Sequence, residues 1–175
     1  LAQTGPAMPA EHASRIDPAA QAATLIEHIQ TRYHDTHRRS LALLLPLASQ
    51  AVALGLEVGL VEQLASIGNA LEQHMFKEEM RLFPMMEQGG NTLIGRLIED
   101  LHREHGEHLP AVQELQSQLR ATDATGAAQP ILAQLVRGVD DFARELAEHI
   151  RLEDEVLFPL FCHSAAAGAR TALIP

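Results

Sequence analysis

Residues 74–84 read HMFKEEMRLFP and residues 149–159 read HIRLEDEVLFP. Both satisfy H-x-x-x-E-x-x-x-L-F-P, so His74, Glu78, Leu82, Phe83 and Pro84 are matched by His149, Glu153, Leu157, Phe158 and Pro159. A His and a Glu four residues apart lie on one face of a helix, one turn from each other. The apolar residues ahead of each pair show which face that is. Leu60, Leu64, Ile67 and Leu71 lead in steps of three and four to His74, Glu78 and Leu82. Leu135, Val139, Phe142 and Leu146 lead likewise to His149, Glu153 and Val156. The seam that has to be buried therefore passes through an imidazole and a carboxylate on both helices. Any fold for this chain must make two buried glutamates tolerable.

The rest of the chain supplies partners of the same kind. Asp17-Pro18 is a helix start, with a capping carboxylate and proline at the first helical position, and opens a helix to about residue 54 that Pro46 bends. GLEVG at 55–59 interrupts, and a second helix over roughly 60–87 is closed by Gly89-Gly90. Asn91 caps a third over about 92–121, which Pro110 would kink; after the loop ATDATGAAQ, Pro130 opens a fourth to about 162. No strand is predicted. Four long helices with short connections predict an all-α, up-down-up-down antiparallel four-helix bundle. Its domain spans residues 18–163, between a linker or disordered leader at 1–17 and a C-terminal tail at 164–175. The repeat relates the second helix to the fourth.

Composition narrows the function. At 175 residues the chain forms one domain with a sizeable core, and 46% hydrophobic residues with only 3% aromatics suit a Leu- and Ala-rich bundle. A net charge of −10 opposes contact with nucleic acid or an anionic membrane, and no run of about 18 apolar residues is present to span a bilayer. The single cysteine, Cys162, offers no internal disulfide and no thiolate metal motif, which points to a reducing cytoplasm.

The third helix places His105 in a seam of Ile98, Leu101, Val112, Leu115 and Leu119, and the first places His34 among Ile26, Tyr33, Leu41 and Leu45. A buried carboxylate costs several kcal/mol unless paired. No Lys or Arg occupies this layer of the seams; Arg38 alone could reach it from the first helix. Metal is the alternative. His34, His74, His105, His149, Glu78 and Glu153 make a set of four nitrogens and two carboxylates. Two ions about 3.5–4 Å apart can share it, each taking two imidazoles with both carboxylates bridging. Imidazole and carboxylate without thiolate suit iron, with manganese and zinc as competitors. An open position would remain for nitric oxide, dioxygen, peroxide or water.

Among the other histidines, His108 is the alternative ligand on the third helix, His37 supports the site by holding a ligand's second ring nitrogen, and His102 lies off the seam. His12, His28 and His163 are read as solvated. Phe83 and Phe158 are expected to cap the metal layer, and Tyr33 to pack beside it.

The stretches RYHDTHR, HMFKEEMRLFP, EHGEH and HIRLEDEVLFP, in this order, resemble the hemerythrin-like domain of the repair-of-iron-centres di-iron proteins over about residues 20–162. The resemblance implies an oxo- or hydroxo-bridged pair of iron ions on His34, His74, His105 and His149, with Glu78 and Glu153 bridging. It further implies a role in nitrosative and oxidative stress: binding nitric oxide or peroxide, with redox activity there left open, or supplying iron to damaged iron–sulfur proteins. Members commonly carry a small N-terminal domain with a cysteine pair, and residues 1–17 contain no cysteine. Oxygen-carrying hemerythrins place H-x-x-x-H on the third helix, where this chain has Leu109 four residues after His105. An oxygen- or nitric-oxide-sensing module is the alternative function, and a bundle binding zinc or nothing is the structural one.

Overall fold

A computed structural model describes residues 17–57 and 59–162. The proposed leader and tail lie almost wholly outside these, as do His12 and His163.

Among the described residues the chain forms four helical rods and no strand. Rod one is α1 (Pro18–His28), a π-helical segment Ile29–His34, and α2 (Asp35–Ala53). Rod two is α3 (Gly59–Lys77), a π segment Glu78–Leu82, and α4 (Phe83–Glu87). Rod three is the uninterrupted α5 (Ile94–Ala121). Rod four is α6 (Ala128–Leu152), a π segment Glu153–Leu157, and α7 (Pro159–Cys162). The expected signals hold at most of the ends, but the fourth rod starts at Ala128, two residues ahead of Pro130. Asp17 accepts a hydrogen bond from the Ala19 amide at 3.2 Å. Rod two closes on Gly89 and Gly90 at φ 89° and 81°, a left-handed conformation that glycine adopts without strain. Asn91 accepts from the Leu93 amide at 2.8 Å in the turn ahead of α5, which starts two residues later than the sequence predicts. Pro46 and Pro110 both sit inside helices.

α2 packs on α3 and α6, and α5 packs on the same two, so each rod touches its chain neighbours and the first touches the last. One cleft between α2 and α6 is closed by a glycine. A Cβ on Gly138 would lie 2.6 Å from Cδ2 of Leu44, which fills that space.

The π segments are the departure from the expected helices. An i→i+5 turn inserts one extra residue and shifts the buried face. On rod one the buried residues run Ala22, Ile26, Ile29, then jump five to His34, and resume at His37, Leu41 and Leu44. On rod four the seam after Glu153 passes through Leu157 and Phe158, at 0% and 2% exposure, while Val156 is 36% exposed. Val156 was expected in the core, and the wider turn displaces it by one position. The Phe158 amide donates to the Glu153 carbonyl at 2.8 Å, which defines that turn.

The core has two apolar parts. One contains Leu44, Leu71, Leu115, Leu135 and Phe142. The other contains Ile26, Leu82, Phe83, Ile98, Leu157 and Phe158. Between them lies a layer of eight buried polar side chains: His34, His37, His74, Glu78, His105, His108, His149 and Glu153.

Candidate metal centre

All six side chains singled out in the sequence meet in this layer. Glu78 and Glu153 are 0% exposed. Their nearest neighbours are imidazole Nε2 atoms: Glu78 has His74 at 3.2 Å and His34 at 3.4 Å, and Glu153 has His149 at 3.0 Å and His105 at 3.2 Å. The imidazoles also approach one another. His34 and His149 bring their Nε2 atoms to 3.2 Å, and His74 and His105 bring theirs to 3.0 Å. Two compact donor groups result, His34–Glu78–His149–Glu153 and His74–Glu78–His105–Glu153, which share both carboxylates.

Despite this crowding, none of the four carboxylate oxygens accepts a hydrogen bond. The contacts are close, but the groups do not point at each other. Donor atoms at right angles about an ion, each about 2.1 Å from it, stand about 3.0 Å apart. The six contacts of 3.0–3.4 Å match that spacing, and orphaned buried oxygens are what a missing cation leaves. The residues present fit a pair of metal ions.

The outer ring nitrogens are equally ordered. His34 Nδ1 donates to Glu79 at 2.7 Å, His74 Nδ1 to Glu104 at 2.9 Å, and His105 Nδ1 to Asp154 at 2.8 Å. His149 Nδ1 lies 3.1 Å from His37 Nε2, the supporting contact expected of His37. These bonds fix each Nε2 toward the centre. They also show that the clusters His74–Glu104–His108 and His102–His105–Asp154 belong to this support and are not further ion sites, because the shared imidazoles have committed both nitrogens.

Each copy of the repeat does more than provide a ligand pair. The acid one position after the glutamate, Glu79 or Asp154, holds the histidine of the preceding rod. The motif phenylalanine stacks on the same ring: Phe83 on His34 and Phe158 on His105, both at 5.8 Å between centroids. Glu79, Glu104 and the role of Asp154 are not predicted from the sequence, although acids adjoin a central residue in all three: Glu78-Glu79, Glu104-His105 and Glu153-Asp154.

Arg38, the cation thought able to reach the central glutamates, instead pairs with Glu72 and Glu79 at the rim. It steadies the acid that steadies His34. His108 does not face Glu153; it stands edge-on to His74 at 4.9 Å, with Nε2 buried and unpartnered. Tyr33 lies flat on His149, ring centroids 5.5 Å apart. His28, His102 and Cys162 are exposed.

Burial disfavours charge on His34 and His74, yet the carboxylates beside them, Glu78 foremost, hold both above the usual imidazole value. His105 is pushed up to about 10 by Asp154 and Glu153 against the same opposition. Burial likewise disfavours charge on Glu78, which the imidazoles of His74 and His34 outweigh, holding it well below the usual carboxylate value. His37 and His108 go the other way, to about 2 and about 4, because burial disfavours their charge and the imidazoles beside them, His149 and His34 for one and His74 and His105 for the other, repel it.

A family model described as the hemerythrin HHE cation binding domain matches residues 25–161. The chain is 35% identical over 148 residues to a protein named iron-sulfur cluster repair protein YtfE from Dickeya chrysanthemi (strain Ech1591), covering 80% of this chain and 66% of that one. It is 33% identical over 146 residues to a probable iron-sulfur cluster repair protein from Haemophilus influenzae, covering 81% and 66%. It is 36% identical over 143 residues to the protein named YtfE of Yersinia pestis (strain Pestoides F), covering 77% and 63%. The chain thus spans just under two thirds of the length of these relatives. With its four-rod architecture and its layer of histidines and glutamates, the chain belongs to the hemerythrin HHE cation-binding family and is homologous to the iron-sulfur cluster repair proteins.

Proposed function

We propose that this domain is a non-haem di-iron protein of nitrosative and oxidative stress, in which Glu78 and Glu153 would be shared by two iron ions. His34 and His149 would hold one of them, and His74 and His105 the other. The observation that carries this reading is the pair of donor groups sharing two buried carboxylates whose oxygens accept no hydrogen bond. A set of imidazoles and carboxylates without thiolate suits iron, and relatives matched over most of the chain are named for iron–sulfur cluster repair. Bound iron would supply redox chemistry and an open position for nitric oxide or peroxide.

The protein's own contribution is positional. Glu79, Glu104, Asp154 and His37 fix the ring nitrogens, and Phe83, Phe158 and Tyr33 cover the imidazole faces and keep water out. Iron held by neutral imidazoles and two shared carboxylates is also suited to being cargo, passed to damaged iron–sulfur proteins in the cytoplasm. No helix among the described residues is long and apolar enough to cross a membrane.

Anaerobic purification followed by elemental analysis and Mössbauer spectroscopy tests the reading. Two magnetically coupled irons per chain are expected. Zinc, or a metal-free protein from iron-replete cells, would overturn it. Turnover of nitric oxide, rather than formation of a stable nitrosyl, separates a reactive centre from a sensor.

A further inference from the structure

Three of the four central imidazoles lean on a carboxylate, and the fourth leans on another imidazole. Around the bundle, rod two supports rod one through Glu79 and His34, rod three supports rod two through Glu104 and His74, and rod four supports rod three through Asp154 and His105. Rod one closes the circle with His37 on His149. On rod three the acid comes one residue before the central histidine; the corresponding residue on rod one is Tyr33, which offers a ring face instead.

The tautomers follow from the geometry. His149 presents Nε2 to Glu153, so its proton sits on Nδ1 and is donated to Nε2 of His37. The proton of His37 is then confined to its own Nδ1, which is buried with no partner. The other supports are backed by cations or further donors: Glu79 by Arg38, Glu104 by Lys77 at 2.5 Å, and Asp154 by His102 at 3.0 Å. A carboxylate accepting from Nδ1 makes Nε2 a stronger donor to a cation, and it adds a negative charge nearby. A neutral imidazole does less of the first and none of the second.

The geometry points to an unequal pair: the ion between His34 and His149 is held more weakly than the ion between His74 and His105 and leaves first, with His37 as the positioning residue that sets the difference. This rests on the two-iron reading above and names which of the two irons is the exchangeable one.

The test uses the full chain loaded anaerobically with ferrous iron and then mixed with excess bipyridine. Release should occur in two phases of one ion per chain, with rates about 10–100-fold apart, the usual effect of one support partner on metal affinity. His37→Glu, which supplies a carboxylate, should slow the fast phase toward the slow one. His37→Gln, a neutral acceptor of similar reach, should leave it near wild type. Two further variants at half-buried positions do not depend on a tolerated charge at residue 37: Glu79→Gln should accelerate only the fast phase, and Asp154→Asn only the slow one. Release of both ions in a single phase, or action of Asp154→Asn on the fast phase, would overturn the proposal. Loading of fewer than two ions per chain would instead overturn the two-iron reading.

Discussion

Glu78 lies against His74 and His34, and Glu153 against His149 and His105, in the buried centre of the bundle, and neither glutamate has an oxygen that accepts a hydrogen bond. Replacing a whole buried ion pair by apolar residues is often neutral, but removing one partner costs about 3–5 kcal/mol because the other is left uncompensated. Glu78→Leu and Glu153→Leu should therefore remove most of the metal and also lower the urea midpoint of the apoprotein, because the imidazoles beside them lose their counter-charge. Retention of two metal ions by either variant would show that the carboxylates do not bridge.

Metal loading should change the pH dependence of stability. His34, His74 and His105 have raised values in the metal-free fold, so their contribution is fully present below about 6.5 and is lost as pH rises, through about 10 for His105. His37 and His108 have lowered values, so stability is also lost as pH falls below about 6.5. Apoprotein should be most stable near that pH. The alkaline loss should disappear on metal binding, which replaces the protons and releases them to buffer. Thermal melts with and without iron, and calorimetry in buffers of different ionisation enthalpy, check both statements.

Phe83 and Phe158 each join the apolar core to one imidazole. Truncation to Ala should cost about 3–5 kcal/mol, the usual range for a buried phenylalanine. Phe→Leu at either position should cost less but free the ring of His34 or His105, respectively. Denaturation midpoints give the first effect, and the rate of nitrosylation of the reduced protein gives the second.

Glycine inside a helix normally loses about 1 kcal/mol to alanine. Gly138→Ala should gain less than this, because its Cβ would lie 2.6 Å from Cδ2 of Leu44 and the end of that side chain must move aside. Combining it with Leu44→Ala should cost less than the sum of the two single changes. Additive costs in a double-mutant cycle would mean that the two sites do not share that space.

The bundle and its six central residues were legible because steps of three and four through Leu71, His74 and Glu78, or Leu146, His149 and Glu153, are a backbone regularity written directly in the residues. What escaped the reading was whatever breaks that regularity. Ile29 to His34 is a step of five, and Val156 gives up its place to Leu157. A π turn has no residue signature of its own; it forms where tertiary demands on a rod outweigh its local preference. Glu79, Glu104 and Asp154 escaped for a related reason. A solvated acid beside a ligand looks ordinary until the neighbouring rod is in place.

The 75-residue offset between the two copies also gives the molecule an internal standard. His74 and His149 share a motif, a following glutamate and a wider helical turn, yet one meets Glu104 and the other His37. Any difference in behaviour between matched substitutions at these two positions reports on what surrounds the ring, Glu104 and His108 for one and His37 and Tyr33 for the other, with the motif and its wider turn held in common.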